Sequence, residues 1–365
     1  MTLYLDYQAT TPLAPEVTEA MRPWMAEKFA NPHATHRLGR EAAAAIAVAR
    51  EAVAALLPKD GKVYFTSGAT EALNWALRCV RIGEPRRLAC PNSEHAAVRD
   101  TVQWLGQSGA ITHLLPVGTD GLIARLSPPP GISMMAAMLV NNEIGVIQPI
   151  AALAQAAHEA GALFLCDAVQ GFGRIAIPEG PDLIAVTAHK IHGPKGVGAL
   201  WVRDGIEIDP LIHGGGQEGG LRSGTLSPML CAGFGAAASL AAAHMHRDAR
   251  HVGQLWDAAL EMIPPGWIIN GSTEARYRGN LNLRHDGLDV ARLMSDVRQV
   301  AFSAGSACAS GSGRPSHVLR AIGLSDAQAR SSIRIGFGRY TGLGDLQEAL
   351  SLIFTAAHRQ LGQTP

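Results

Sequence analysis

Two side chains far apart in this 365-residue chain are the best suited to do chemistry, one amine and one thiol. Lys190 lies in Thr187-Ala188-His189-Lys190-Ile191-His192-Gly193-Pro194-Lys195-Gly196. That stretch follows an apolar run, Asp182-Leu183-Ile184-Ala185-Val186, short enough to be a buried strand. Burial disfavours the ammonium form, and the neutral amine is the nucleophile that condenses with an aldehyde. Downstream, Cys308 sits in Ser303-Ala304-Gly305-Ser306-Ala307-Cys308-Ala309-Ser310-Gly311-Ser312-Gly313, among small residues that leave a thiolate accessible. An amine that holds an aldehyde cofactor and a thiol that accepts a group from it together suggest sulfur chemistry.

Elimination narrows both choices. The chain has only five lysines. Lys59 and Lys62 flank an Asp60-Gly61 turn, Lys28 belongs to an amphipathic surface stretch, and Lys195 in a Gly-Pro-Lys-Gly turn faces either a phosphate or water. The other cysteines, Cys79, Cys90, Cys166 and Cys231, lie in apolar settings and suit the core. An odd count of five without Cys-x-x-Cys spacing argues against a disulfide framework or a zinc site and for a reducing compartment. The 31 basic and 31 acidic residues balance, so charge gives no reason to expect nucleic acid or an anionic membrane. The first residues carry neither a basic region nor an apolar core, and the apolar stretches fall short of the ~20 residues a bilayer span requires. A cytoplasmic protein is expected.

The elements that must position these groups alternate. Strands are expected at 62–65, 87–90, 110–116, 134–140, 162–166, 183–186 and 197–202, the last antiparallel, with helices between them. This rhythm points to an α/β layered sheet. The alanine-rich run Cys231 to His244 fits a long buried helix. Beyond it, short strands at 267–270, 280–283 and 332–335 suggest a second, α+β domain from about residue 246.

Ligands of open α/β sheets collect beyond the carboxyl ends of the strands, and several polar residues follow those ends. Thr66-Ser67-Gly68-Ala69-Thr70 joins a strand to a helix whose first N–H groups can cradle a phosphate. Asp167 is placed either to keep the pyridine nitrogen of a cofactor protonated or simply to cap a helix, with Gln170 three residues on. His95 opens a helix, a position suited to structure or to catalysis. Asn141-Asn142-Glu143 is too polar for a simple turn. Arg334, among isoleucines, needs an anion: a substrate carboxylate or a structural partner.

In their order along nearly the whole chain, these motifs resemble the cysteine desulfurases, a branch of the class-V aminotransferase group of pyridoxal-phosphate enzymes. The resemblance is carried by Tyr4-Leu5-Asp6-Tyr7-Gln8-Ala9-Thr10-Thr11-Pro12, Phe65 to Glu71, Asn141-Asn142-Glu143-Ile144-Gly145, the lysine motif, Gly214-Gly215-Gly216-Gln217-Glu218, Arg222-Ser223-Gly224-Thr225, the cysteine loop and Ser331 to Arg334. It implies fold type I of the pyridoxal-phosphate transferases: a mainly parallel seven-stranded sheet in a large domain, 13–245, with 1–12 and 246–365 forming a small domain that carries the cysteine loop. It also implies pyridoxal 5'-phosphate as cofactor, L-cysteine as substrate, and a homodimer. Carried over, Lys190 would be the Schiff-base lysine, Asp167 the partner of the ring nitrogen, and Gln170 that of the ring hydroxyl. His95 would stack on the ring and shuttle protons. Ala69, Thr70, Thr187 and His189 would lie at the phosphate, with Thr225 reaching in from a second subunit. Asn142 and Arg334 would grip the substrate carboxylate, and Cys308 would take up the sulfur as a persulfide, leaving L-alanine.

The longer loop that carries Ser306-Ala307-Cys308 resembles the branch that feeds iron–sulfur assembly and tRNA thiolation, so a sulfur-acceptor or scaffold protein is the implied partner. Two departures stand out: Gly219 occupies a place where many relatives carry arginine, and the chain ends soon after its last expected helix. Alternatives are a selenocysteine lyase or cysteine sulfinate desulfinase of the same fold, or a cofactor-binding assembly partner without turnover.

Overall fold

The computed structural model describes residues 2–305 and 315–362. Its large sheet is built from β2 (Gly61–Thr66), β3 (Arg87–Pro91), β4 (Ile111–Leu115), β5 (Met134–Met138), β6 (Leu163–Asp167), β7 (Leu183–Thr187) and β8 (Gly198–Arg203), after a two-residue β1 (Leu3–Tyr4). The strand order is β2-β8-β7-β6-β5-β3-β4. The pairs among β3 to β7 are parallel, whereas β8 runs antiparallel to both of its neighbours. Each expected strand of the large sheet is present, within a residue or two of its expected ends.

Alternation along each strand explains why the runs are apolar throughout. Val63, Phe65, Phe164, Cys166, Ile184, Val186, Ala199 and Trp201 enter one core. Leu165, Leu183, Ala185, Leu200 and Val202 enter another on the opposite face. Sheets buried on both faces need this composition, and full burial of each large apolar side chain contributes ~1.5–3 kcal/mol.

A third core gathers the remaining strands, β9 (Ile268–Ile269), β10 (Asn280–Arg284), β11 (Val300–Ala301), β12 (Ser303–Ala304) and β13 (Ser332–Gly336). Four of them form an antiparallel sheet ordered β12-β13-β10-β9, while β11 pairs in parallel with β1. The N-terminal residues thus pack with the small sheet: Leu5 lies in the same core as Ile333 and Ile335. The two-residue strands β1, β11 and β12 carry too few residues to show a period in sequence.

The helix expected over 231–244 is much longer, Pro228–Glu261. By length and composition it is apolar enough to cross a bilayer, which the sequence reading of short apolar stretches did not anticipate. Its apolar residues have partners in the protein: Cys231, Phe234, Ala237, Ala238 and Ala241 in the first core, and Val252, Leu255, Trp256 and Ala259 in the third.

The parallel strands deliver the chain to one edge. The segments after β2, β3, β5 and β7 contain Thr70, His95, Asn142 and Lys190, and β6 itself ends on Asp167. The segment Leu5–Gln8 closes this edge by lying against the end of β13, where Gly336 donates to the Leu5 carbonyl at 2.8 Å. A Cβ on Gly336 would sit 1.6 Å from Gln8 Oε1 and 2.9 Å from the Tyr7 nitrogen. Gly336→Ala is therefore expected to destabilise the protein by about 1–3 kcal/mol, as overpacking does. Urea denaturation measures this, and an unchanged midpoint would show that the N-terminal segment yields freely.

Candidate active site

A cavity of about 590 Å3 opens at this edge, and it brings together ten of the residues singled out in sequence: Ala69, Thr70, His95, Asn142, Asp167, Gln170, Thr187, His189, Lys190 and Arg334. Two are not in it. Thr225 is exposed and does not line the cavity, and Cys308 lies outside the described residues.

Lys190 ends the single 3-10 turn Ala188–Lys190 that follows β7, so the strand carries its amine to the floor of the cavity. The residue is only 9% exposed. Its Nζ donates to the backbone carbonyls of Gln8 and Ala9, the latter at 2.7 Å. Gln170 Nε2 donates to the same Gln8 carbonyl at 2.9 Å, and Gln170 Oε1 accepts from Arg174 Nη1 at 2.8 Å. Arg174 also donates to the Lys190 carbonyl at 2.8 Å, fixing the turn from behind.

His95 caps the helix Ala96–Gln107: its Nδ1 accepts from the Ala97 N–H at 3.1 Å. That bond fixes Nδ1 as the unprotonated nitrogen. Asp167 closes β6 and accepts from the Val169 N–H at 3.0 Å, a turn contact rather than a helix cap. Burial raises its carboxyl above the usual range, against the pull of His95, the Val169 amide and Lys190. Its neighbour Glu94 is fully buried and raised well above its solution value by burial.

At the other end, the helix Ala69–Cys79 starts without a side-chain cap, so its first N–H groups are available to an anion at the cavity wall. Glu71 in that first turn is neutralised by a two-point ion pair with Arg222, at 2.7 and 3.1 Å. His189 Nδ1 is 3.2 Å from Thr10 Oγ1. Burial, then Lys190 and Lys195, lower its pKa to about 4, so it is neutral near pH 7. The Thr187 hydroxyl donates to the Val197 carbonyl at 3.1 Å. Its one proton is committed there, so in this arrangement it offers a phosphate no donor. Lys195 and Gly196 also line the cavity, and Lys195 is exposed there.

Arg334 has the structural anion partner that was one of its two sequence expectations. It borders the cavity, and its Nη2 also pairs with Asp6 Oδ1 at 2.7 Å. Asn142 Oδ1 is buried without a partner among the described residues. A buried polar atom in that state carries a cost that a ligand N–H or O–H would remove.

This donor set fits pyridoxal phosphate. Lys190 meets an aldehyde, buried Asp167 suits a ring cation, and the uncapped helix start with Ala69 and Thr70 suits a phosphate. Sequence reasoning missed the Asp6–Thr11 wall, because its contacts with Lys190 and Gln170 are made by backbone carbonyls that leave no side-chain signature.

The fold and site define a pyridoxal-phosphate enzyme of fold type I, and the chain belongs to the class-V aminotransferase family, whose model matches residues 3–348. It is similar to the cysteine desulfurase IscS of Rickettsia akari (strain Hartford), 41% identical over 368 residues that cover 96% of this chain and 90% of that protein. An X-ray structure of a NifS-like protein from Rickettsia africae ESF-5 matches with a TM-score of 0.88 at 27% identity, covering 98% of this chain and 99% of the other. The structure of SspA in complex with cysteine matches at 0.80 and 34% identity over 94% of this chain and 100% of that one.

Glu143, beside Asn142, is buried and accepts from the Ser316 hydroxyl. Burial raises its pKa from 4.5 to about 7, with Ser316, Arg334 and His95 opposing the rise. A raised carboxyl contributes stability that is complete below about pH 4.5 and is lost as pH climbs through about 7. Gln cannot ionise. The melting temperature of Glu143→Gln relative to wild type should therefore shift in the variant's favour by a few degrees between pH 5 and pH 8. A difference independent of pH would show that Glu143 does not titrate there.

Proposed function

We propose that this protein is a cysteine desulfurase that converts L-cysteine and its own Cys308 thiol into L-alanine and a Cys308 persulfide. The observation that carries this reading is the meeting, in one cavity, of a buried lysine just past β7, a buried carboxylate at the end of β6 and a buried arginine from the middle of β13. The identity to cysteine desulfurases over nearly the full chain supports the same reading.

Pyridoxal phosphate, when bound, supplies an electrophilic aldehyde and an electron sink for charge developing at the substrate α-carbon. Lys190 is held at the cavity floor by the Gln8 and Ala9 carbonyls and serves as the amine for the aldehyde and as the base for the α-proton. Asp167, shielded from water, stabilises a protonated ring nitrogen. His95 presents a ring whose Nδ1 is tied to its own helix, and its Nε2 is the nitrogen that exchanges protons. Ala69 and Thr70 offer backbone donors to the phosphate, His189 offers a neutral ring, and Thr187 joins them once its hydroxyl turns from Val197. Arg334 and Asn142 Oδ1 face the substrate's carboxylate and amino group. Cys308 accepts the sulfur: one S–S bond forms as the cysteine C–S bond breaks, and a proton replaces sulfur on the carbon that becomes the alanine methyl.

Thr225 lies exposed and away from its own cavity, in keeping with a homodimer in which it serves the other site. We further read the chain as two domains, 13–245 and 1–12 with 246–365, a division favoured by the separate cores. An iron–sulfur scaffold or a thiolation partner in the cytoplasm is the acceptor this reading assigns.

Reconstitution with pyridoxal phosphate should give an absorbance band near ~420 nm, as lysine-linked cofactors of this kind do. L-Cysteine should then yield alanine in step with a persulfide detectable by mass on Cys308. Lys190→Ala should lose the band and at least ~10²-fold in rate. Cys308→Ala should keep the band and form no persulfide. If that variant still releases sulfur at the wild-type rate, the protein is a lyase and the desulfurase reading is wrong.

A further inference from the structure

Arg334 is 1% exposed, on β13 between Ile333 and Ile335, which turn into the apolar core while Arg334 borders the cavity. Its Nη2 donates to Asp6 Oδ1 at 2.7 Å and lies 3.4 Å from the Ser303 hydroxyl, and its Nη1 donates to the Asn142 carbonyl at 3.1 Å. Nε has no partner among the described residues. Asp6 belongs to the motif Tyr4 to Pro12, whose Gln8 and Ala9 carbonyls hold Lys190 but whose aspartate side chain the functional reading leaves without a role.

The backbone explains why Asp6 is there. Leu5–Gln8 is laid along the end of β13 by the bonds from Gly336 to the Leu5 carbonyl at 2.8 Å and from Tyr7 to the Gly336 carbonyl at 3.4 Å. Arg334 and Gly336 are two residues apart and share a face of the strand. The segment that passes Gly336 therefore also passes the guanidinium, and Tyr4 Oη secures it by donating to the Thr10 carbonyl at 2.9 Å.

A guanidinium is a planar fork, and a carboxylate on one prong fixes its plane. The fork then borders the cavity already ordered. Without that anchor, ordering it becomes a cost of binding. We propose that Asp6 is a positioning residue for substrate recognition, orienting Arg334 for the α-carboxylate of the amino-acid substrate. The inference rests on reading Arg334 as the carboxylate-binding group. No bond to the α-carboxylate is made or broken in the reaction, so the contribution is uniform along it: affinity carries the effect and turnover does not. Asp6 also subtracts charge from Arg334, and an asparagine separates the two effects because it keeps an acceptor and removes the charge.

The test is an absorbance titration of the holoenzyme and its variants with L-alanine and with ethylamine, which lacks the carboxylate, alongside steady-state kinetics with L-cysteine. Asp6→Ala should raise the Kd for L-alanine by about tenfold, the scale of a lost hydrogen bond to a charged group. It should leave ethylamine affinity and kcat within about twofold, with KM rising alone. Asp6→Asn should bind L-alanine at least as tightly as wild type. Unchanged or tighter L-alanine binding by Asp6→Ala overturns the proposal, as does equal weakening for both amines, which would mark general damage to the site. Arg334→Gln is the control. If it leaves L-alanine affinity intact, the reading of Arg334 itself fails. If it weakens L-alanine while Asp6→Ala does not, only the role of Asp6 falls.

Discussion

An amine buried to 9% exposure must be held by polar groups or it will drag water into the core. Here the Gln8 and Ala9 carbonyls accept from Lys190. The rest of the site is arranged around that requirement. β7 brings the lysine to the sheet edge, Arg174 fixes the turn that carries it, and residues 6–11 are laid across the opening to supply the acceptors. The same short segment also serves Gln170 through the Gln8 carbonyl, His189 through Thr10 and Arg334 through Asp6. One stretch of chain near the N-terminus is therefore common to both ends of the cavity.

The large-sheet strands were legible in sequence because both of their faces are buried, which yields short apolar runs between turn residues. The antiparallel sense of β8 was also legible, since the stretch 188–197 between it and β7 is too short for the helical crossover a parallel pair requires. Residues placed at or just after strand ends, Asp167, Asn142 and Lys190, could be found because parallel topology sends such positions to one edge. His95 was ambiguous for a physical reason: one ring nitrogen caps a helix while the residue still borders the cavity.

What stayed hidden depends on contacts between distant parts of the chain. The Asp6–Arg334 pair spans 328 positions, and nothing in either local pattern announces it. The commitment of the Thr187 hydroxyl to Val197 is equally silent, because a threonine after a strand looks the same whichever way its proton points. The length of Pro228–Glu261 was underestimated because its second half has the polar and apolar mix of a partly exposed helix. The alanine-rich half alone stands out.

That helix has a mechanical consequence. It is one continuous rod of 34 residues whose first half is rooted beneath the large sheet and whose last turns are rooted beneath the small one. Shifting either layer against the other means flexing the rod or dragging it through a close-packed interior. The cleft between the layers thus keeps its width through a shared stiff beam, and loosening one layer withdraws support from the beam that steadies the other.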